Sequence, residues 1–115
     1  VLEEFLDTNA ELFEHDYVVL KIDVEEMQNG GTVATRLRQG REGGIPWITI
    51  LNADGQEIVT SDGPQGNIGC PITKGECGYF ITMIEKSSQH ASTEQVTDIA
   101  KALDEYAQKR REKNN

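Results

Sequence analysis

Apolar residues recur along this chain with two different periods. Leu2, Phe5, Leu6, Leu12 and Phe13 largely follow an i, i+3, i+4 spacing, with Glu3, Glu4, Asp7 and Glu11 between them. That is the pattern of an amphipathic helix with one apolar stripe turned to a core. The helix is under way from the first residues without an N-cap, so the positive end of its dipole points toward whatever precedes Val1. Tyr17-Val18-Val19-Leu20-Lys21-Ile22-Asp23-Val24 is β-branched and nearly continuous in its apolar character, which predicts a strand buried on both faces of a parallel sheet.

Glycine pairs at Gly30-Gly31 and Gly43-Gly44 bracket a short helix carrying Val33 and Leu37, the expected crossover. Pro46-Trp47-Ile48-Thr49-Ile50-Leu51-Asn52 reads as a second buried strand, and Asn52-Ala53-Asp54-Gly55 as a tight turn into Gln56-Glu57-Ile58-Val59-Thr60. Those two strands are expected to form an antiparallel hairpin. Residues 61–78, with five glycines and two prolines, predict a long loop. Tyr79 to Ser87 predicts a helix with Phe80, Met83 and Ile84 on one face. Ser92-Thr93-Glu94-Gln95 offers a hydroxyl cap for a last helix over 92–113, along Val96, Ile99, Ala100, Leu103 and Ala107.

Composition narrows the function classes. The chain has 115 residues, enough for one domain and few for two. Twenty acidic against eleven basic residues give a net charge of −9, so no basic surface is available for nucleic acid or anionic lipid. No apolar run approaches the roughly 18 to 20 residues that span a bilayer, which argues against membrane insertion. The charge is concentrated: residues 1–29 hold nine acids and one base, a net −8. This region reads as a solvated helix face and a loop, without the spacing of a calcium loop.

The discriminating feature is Gly43-Gly44-Ile45-Pro46-Trp47. Proline cannot donate a ladder hydrogen bond, so one that opens a buried strand after a helical crossover is either a constrained cis residue or a trans proline that merely starts the strand. In its order of elements the chain resembles the thioredoxin family, where a helix after the active-site cysteines, a strand, a helix, a Gly-Ile-Pro turn with cis proline and a hairpin follow one another. The corresponding pieces are Leu2 to Phe13, Tyr17 to Val24, Val33 to Arg38, Gly44-Ile45-Pro46, and Trp47 to Asn52 with Gln56 to Thr60. Arg41-Glu42-Gly43-Gly44-Ile45-Pro46-Trp47, Asp54-Gly55 and Gly66-Asn67-Ile68-Gly69 are similar to a bacterial thioredoxin-like subgroup. The resemblance implies a single α/β domain over residues 1–115, a three-layer α/β/α sandwich with a mixed sheet and an extra C-terminal helix.

The resemblance also implies what is missing. The family's Cys-x-x-Cys stands at the N-terminus of the helix that here begins at Val1, where the helix dipole lowers the pKa of the attacking sulfur. No Cys-x-x-Cys occurs in these 115 residues, and the family's preceding strand is absent too. The expected site is therefore a substrate wall, Gly44, Ile45, Pro46 and Trp47, along which an extended thiol- or disulfide-bearing peptide pairs. No catalytic residue, cofactor or metal is assigned within this sequence. Trp47 reads as core or as an aromatic wall of that site, and Asp23 receives no role. Two functions follow: the larger part of a thiol-disulfide oxidoreductase with its Cys-x-x-Cys upstream of Val1, or a redox-inactive thioredoxin-fold module that grips a peptide or protein. The slot left by the absent central strand, between Tyr17–Val24 and Trp47–Asn52, is expected to be filled by upstream residues or by a strand swapped from another copy of the chain.

Cys70 and Cys77 lie outside the family motif, eight residues end to end within the glycine-rich loop. As a disulfide in an exported protein they would stabilise the fold by roughly 2.5 kcal/mol. In a reducing compartment they would be two independent thiols, and a redox switch or half of a metal set is the third reading. His15 and His90 are too distant in sequence to complete such a set and read as surface residues.

Overall fold

A computed structural model describes residues 2–14, 16–89 and 92–113; Val1, His15 and His90, and the readings attached to them, lie outside the described residues. The expected first helix forms in two pieces, α1 (Leu2–Thr8) and α2 (Ala10–Phe13). Asn9 divides them, and the Phe5 carbonyl accepts both its backbone amide at 3.1 Å and its Nδ2 at 2.9 Å. Leu2, Phe5 and Phe13 are buried as the apolar spacing requires.

Tyr17–Val24 departs from expectation. It is not a strand and it is not buried: Val18 is 91% exposed and Leu20 82%, and none of the backbone groups of residues 18–22 has a hydrogen-bond partner among the described residues. A β-branched run becomes a buried strand only when other elements cover it on both faces. Here α1 and α2 lie to one side and nothing in the described chain covers the other. The parallel crossover and the mixed sheet are consequently not formed among the described residues. Among the described residues Tyr17–Val24 does not pair with the hairpin, and because its unpaired groups face solvent they do not carry the penalty of buried ones.

Beyond this ribbon, α3 (Gly30–Arg38) supplies the expected helix. Gly30 is required there, since a Cβ would stand 2.3 Å from the Asp23 carbonyl oxygen. The hairpin also forms, from β1 (Thr49–Leu51) and β2 (Glu57–Thr60), antiparallel with Ile50 opposite Val59. Its turn is closed by Asn52 Oδ1, which accepts from the Asp54 and Gln56 amides at 2.9 Å each, with Gly55 at φ +81. The strands are shorter and wetter than read, with Leu51 39% exposed.

Residues 61–78 are not one loop. They contain a second hairpin, β3 (Asp62–Gly63) with β4 (Gly66–Asn67), and the first turn of α4 (Lys74–Ser87). Thr73 begins that helix five residues earlier than expected. Its Oγ1 accepts from the Glu76 amide at 3.1 Å, and Glu76 Oε1 accepts from the Thr73 amide at 3.0 Å, a reciprocal capping box. The last helix, α5 (Thr93–Lys113), opens as expected on Ser92 and Gln95, whose side chains accept each other's backbone amides at 3.1 and 2.9 Å.

The core is helical. Phe80, Met83 and Ile84 of α4 pack on Ile99 and Leu103 of α5, with Phe5 and Phe13 closing one side and Val59 and Ile68 the other. Phe5 meets Phe13 and Phe80 edge-on at ring separations of 6.2 and 6.4 Å, a favoured aromatic geometry. Between residues 18 and 58 the only buried residue is Gly30. The architecture is thus a helical core with two small antiparallel sheets, each of two strands. The expected three-layer sandwich is not formed among the described residues. No helix among them is long and apolar enough to cross a membrane.

Candidate functional site

The expected substrate wall is an exposed loop held from beneath. Ile45 is 74% exposed, the Ile45–Pro46 peptide bond is cis, and neither backbone group of Ile45 has a hydrogen-bond partner among the described residues. The carbonyls on either side are engaged. Asn67 Nδ2 donates to Gly44 O at 3.0 Å and to Pro46 O at 2.9 Å, and Arg38 Nη2 also donates to Gly44 O, at 3.2 Å.

Asn67 is itself oriented. Its Oδ1 accepts from Ser61 Oγ at 2.7 Å and from the Gly69 amide at 3.1 Å. Ser61, fully buried, accepts the Ile48 amide on its Oγ at 2.9 Å and donates its own amide to the Ile48 carbonyl at 2.9 Å. A chain of directed bonds therefore runs from the β1–β2 hairpin through Ser61 and Asn67 to the two carbonyls that flank Ile45. Such a network fixes a loop whose exposed apolar surface would otherwise leave it loose. The Ile45 peptide groups and side chain remain to be met from outside.

Trp47 adds a polar frame rather than core packing. It is half-buried; its Nε1 donates to Asp62 Oδ2 at 2.9 Å, and its ring lies beneath the guanidinium groups of Arg38 and Arg41, 5.0 and 5.6 Å from its centroid. Both arrangements are cation–π contacts. Arg41 is anchored in turn by Glu57, Nη2 to Oε1 at 2.6 Å. Tyr79 of α4 donates its hydroxyl toward the Thr60 and Asp62 carbonyls at 3.0 and 3.1 Å, joining this frame to the helical core. Asn67, Ser61, Asp62, Arg38 and Arg41 carry the geometry, and none was singled out individually by the sequence. The visible signal was Asn67 itself, a lone amide between Gly66 and Gly69.

The cysteines stand apart from that frame as free thiols. Cys70 lies between Gly69 and Pro71, and Cys77 in the first turn of α4 against the core. Burial raises the pKa of both, with Arg110 pulling the Cys70 thiol back and Arg111 the Cys77 thiol. Neither is thereby an activated nucleophile, which needs a thiolate at neutral pH. Arg111 also donates to the Ile72 carbonyl, pinning the segment between the two cysteines to α5. Among the described residues no three His, Cys, Asp or Glu side chains converge as a metal set. Asp23 caps a turn, accepting the Glu25 and Glu26 amides at 2.9 Å each, which lowers its pKa. Comparison with family models, with curated proteins and with solved structures finds no match to this chain.

Proposed function

We propose that this chain is a thioredoxin-like domain whose Gly44-Ile45-Pro46-Trp47 loop receives an extended thiol- or disulfide-bearing segment of a protein substrate, and that it forms the larger part of a thiol-disulfide oxidoreductase with its Cys-x-x-Cys upstream of Val1. The single observation that supports this reading is the loop itself. Two flanking carbonyls are held by Asn67 while the Ile45 amide and carbonyl are left without partners on an exposed surface. One residue with both backbone groups free, on a fixed support, can pair with an extended peptide as a short strand does. The sulfur chemistry is assigned to the upstream pair, since burial raises the pKa of Cys70 and Cys77 and disfavours their thiolates.

The test is to express the encoded chain together with the residues that precede Val1 and to assay dithiol-dependent reduction of insulin beside the 115-residue form. Turnover in the longer form alone is expected. An upstream segment without the cysteine pair, or turnover by the 115-residue form that survives Cys70→Ser with Cys77→Ser, overturns the oxidoreductase reading. The absence of a Cys-x-x-Cys from these 115 residues favours a second reading, a redox-inactive module that uses the same loop to hold a peptide. Under it, a cysteine-free extended peptide perturbs the Ile45 and Trp47 amide resonances as strongly as a cysteine-bearing one.

A further inference from the structure

Arg38 carries a charge that the fold leaves unanswered. Of the two guanidinium groups over Trp47, that of Arg41 is spent: Glu57 Oε1 takes its Nη2 at 2.6 Å and Oε2 its Nη1 at 3.4 Å, while its Nε donates to the Arg38 carbonyl at 2.6 Å. Arg38 forms no ion pair among the described residues, where the paired cations are Lys21 and Arg41. Asp62 does not serve it either. Its Oδ2 stands at the edge of the ring, accepting Trp47 Nε1 at 2.9 Å and Thr60 Oγ1 at 3.4 Å.

The Arg38 guanidinium is nonetheless fixed in place. Its Nη2 donates to Gly44 O at 3.2 Å and its carbon lies 5.0 Å from the Trp47 ring centroid. Gly43 leaves the room, since a Cβ there would stand 2.8 Å from Nη2. The residue is half-buried: Nε is enclosed without a partner, while Nη1, equally without one among the described residues, is not enclosed. A planar cation held by one nitrogen and by its stack on a ring, with another nitrogen left open, is preorganised for an anion.

The loop decides what can reach it. Gly44 O is turned to Asn67 and Arg38, so the Ile45 amide of the same trans peptide points the opposite way. Arg38 therefore flanks the loop and leaves the free backbone of Ile45 uncovered. An extended segment that pairs there commits its own backbone to Ile45, and what it extends sideways to the guanidinium is a side chain. The chain as a whole, at net −9, repels acids, whereas residues 30–48 hold three arginines against Glu42 alone. Attraction for an acid is thus confined to contact at this place. One uncompensated positive charge matches one carboxylate. A phosphoryl group, with about 1.5 to 2 negative charges, would leave charge unanswered near the carboxylates of Glu57 and Asp62 that flank Arg41 and Trp47.

We propose that Arg38 is a specificity-determining residue of the loop, taking on Nη1 a side-chain carboxylate, of Asp or Glu, from the extended segment that pairs with Ile45. The inference rests on the reading of the Gly44–Trp47 loop as the seat of such a segment.

The experiment titrates the 115-residue chain with unlabelled heptapeptides of Val and Thr around one S-methylated cysteine, carrying Glu, Gln, Lys or phosphoserine two residues to both sides of it, and follows the amide resonances of residues 44–47. The Glu probe is expected to bind about fivefold tighter than the Gln probe at about 50 mM salt, with the advantage shrinking toward about 500 mM. Arg38→Gln is expected to make those two probes equal, and Arg38→Glu to make the Lys probe the tightest. Comparing probes within each variant separates recognition from any loosening of the loop, which would weaken all of them alike. Equal binding of the Glu and Gln probes, both shifting the Ile45 amide, overturns the inference and leaves the role of the loop standing. An advantage that survives Arg38→Gln, a Lys probe that binds the unsubstituted chain most tightly, or a phosphoserine probe that binds it more tightly than the Glu probe overturns it as well. No shift at Ile45 with any probe overturns the role of the loop and the inference with it.

Discussion

Asn67 holds more of the site together than any other single side chain. Its amide serves two loop carbonyls and its oxygen is fixed by Ser61 and Gly69. Asn67→Ala removes those bonds without giving their partners new ones, so a loss of about 1 to 3 kcal/mol in urea denaturation is expected, with the largest resonance shifts at Gly44 and Trp47. The cysteines give a pH signature. In the unfolded chain a thiol releases its proton near about pH 8.5, whereas burial holds the folded-state values higher. Between those values the folded state binds more protons than the unfolded one, so stability is full below about pH 8.5 and declines as the pH rises through the window. Urea midpoints followed from neutral to alkaline pH are expected to show that decline, and Cys70→Ala with Cys77→Ala is expected to lessen it, leaving the part due to Tyr17 and Tyr106, which burial also shifts upward. The same burial predicts slower alkylation by iodoacetamide in the native protein than after denaturation.

At the level of elements, helix starts carry weight that composition obscures. Thr73 and Glu76 form a complete capping box, so Thr73→Ala is expected to cost about 1 kcal/mol, measurable as a lower thermal midpoint by circular dichroism. The T-x-x-E pattern was readable at that position, but Gly75 and Gly78 made the stretch look like loop, and only packing of Cys77 and Phe80 on the core decides for helix. Ser92 and Gln95 were legible because no glycine contradicts them. The β1–β2 hairpin was legible for a related reason, since the Asn52 to Gly55 turn is built from its own side chain and needs no distant partner. The ribbon was misread on the opposite ground. An apolar β-branched run states what a segment can bury, whereas its burial depends on elements elsewhere, and none of the described residues covers it. The loop at Gly44 to Trp47 was found through Pro46, while of its supports, Ser61, Asn67 and Asp62, in and just before the second hairpin, only Asn67 stands in a visible local pattern.

Across the whole molecule, burial is split between two distant stretches of chain, residues 2–17 and 59–107, with Gly30 the only buried residue between 18 and 58. Phe5→Ala, in the first stretch, is expected to cost about 3 to 5 kcal/mol, while exposed-ribbon changes such as Leu20→Thr stay within about 0.5 kcal/mol. Hydrogen exchange is expected to begin in the ribbon and in α3, well before the α4–α5 pair opens. The same division sets the order in which the chain can assemble. Tyr17 and Ile48 both pack on the core, so its completion must close the thirty-residue span between them, which contributes no buried apolar side chain toward the entropy of closure. Each halving of such a loop recovers about 0.6 kcal/mol. A chain with that span cut to half is therefore expected to refold about threefold faster in stopped-flow experiments. Trp47, the only tryptophan in the sequence, stands at the junction where the span rejoins the core, and its fluorescence would time the closure directly.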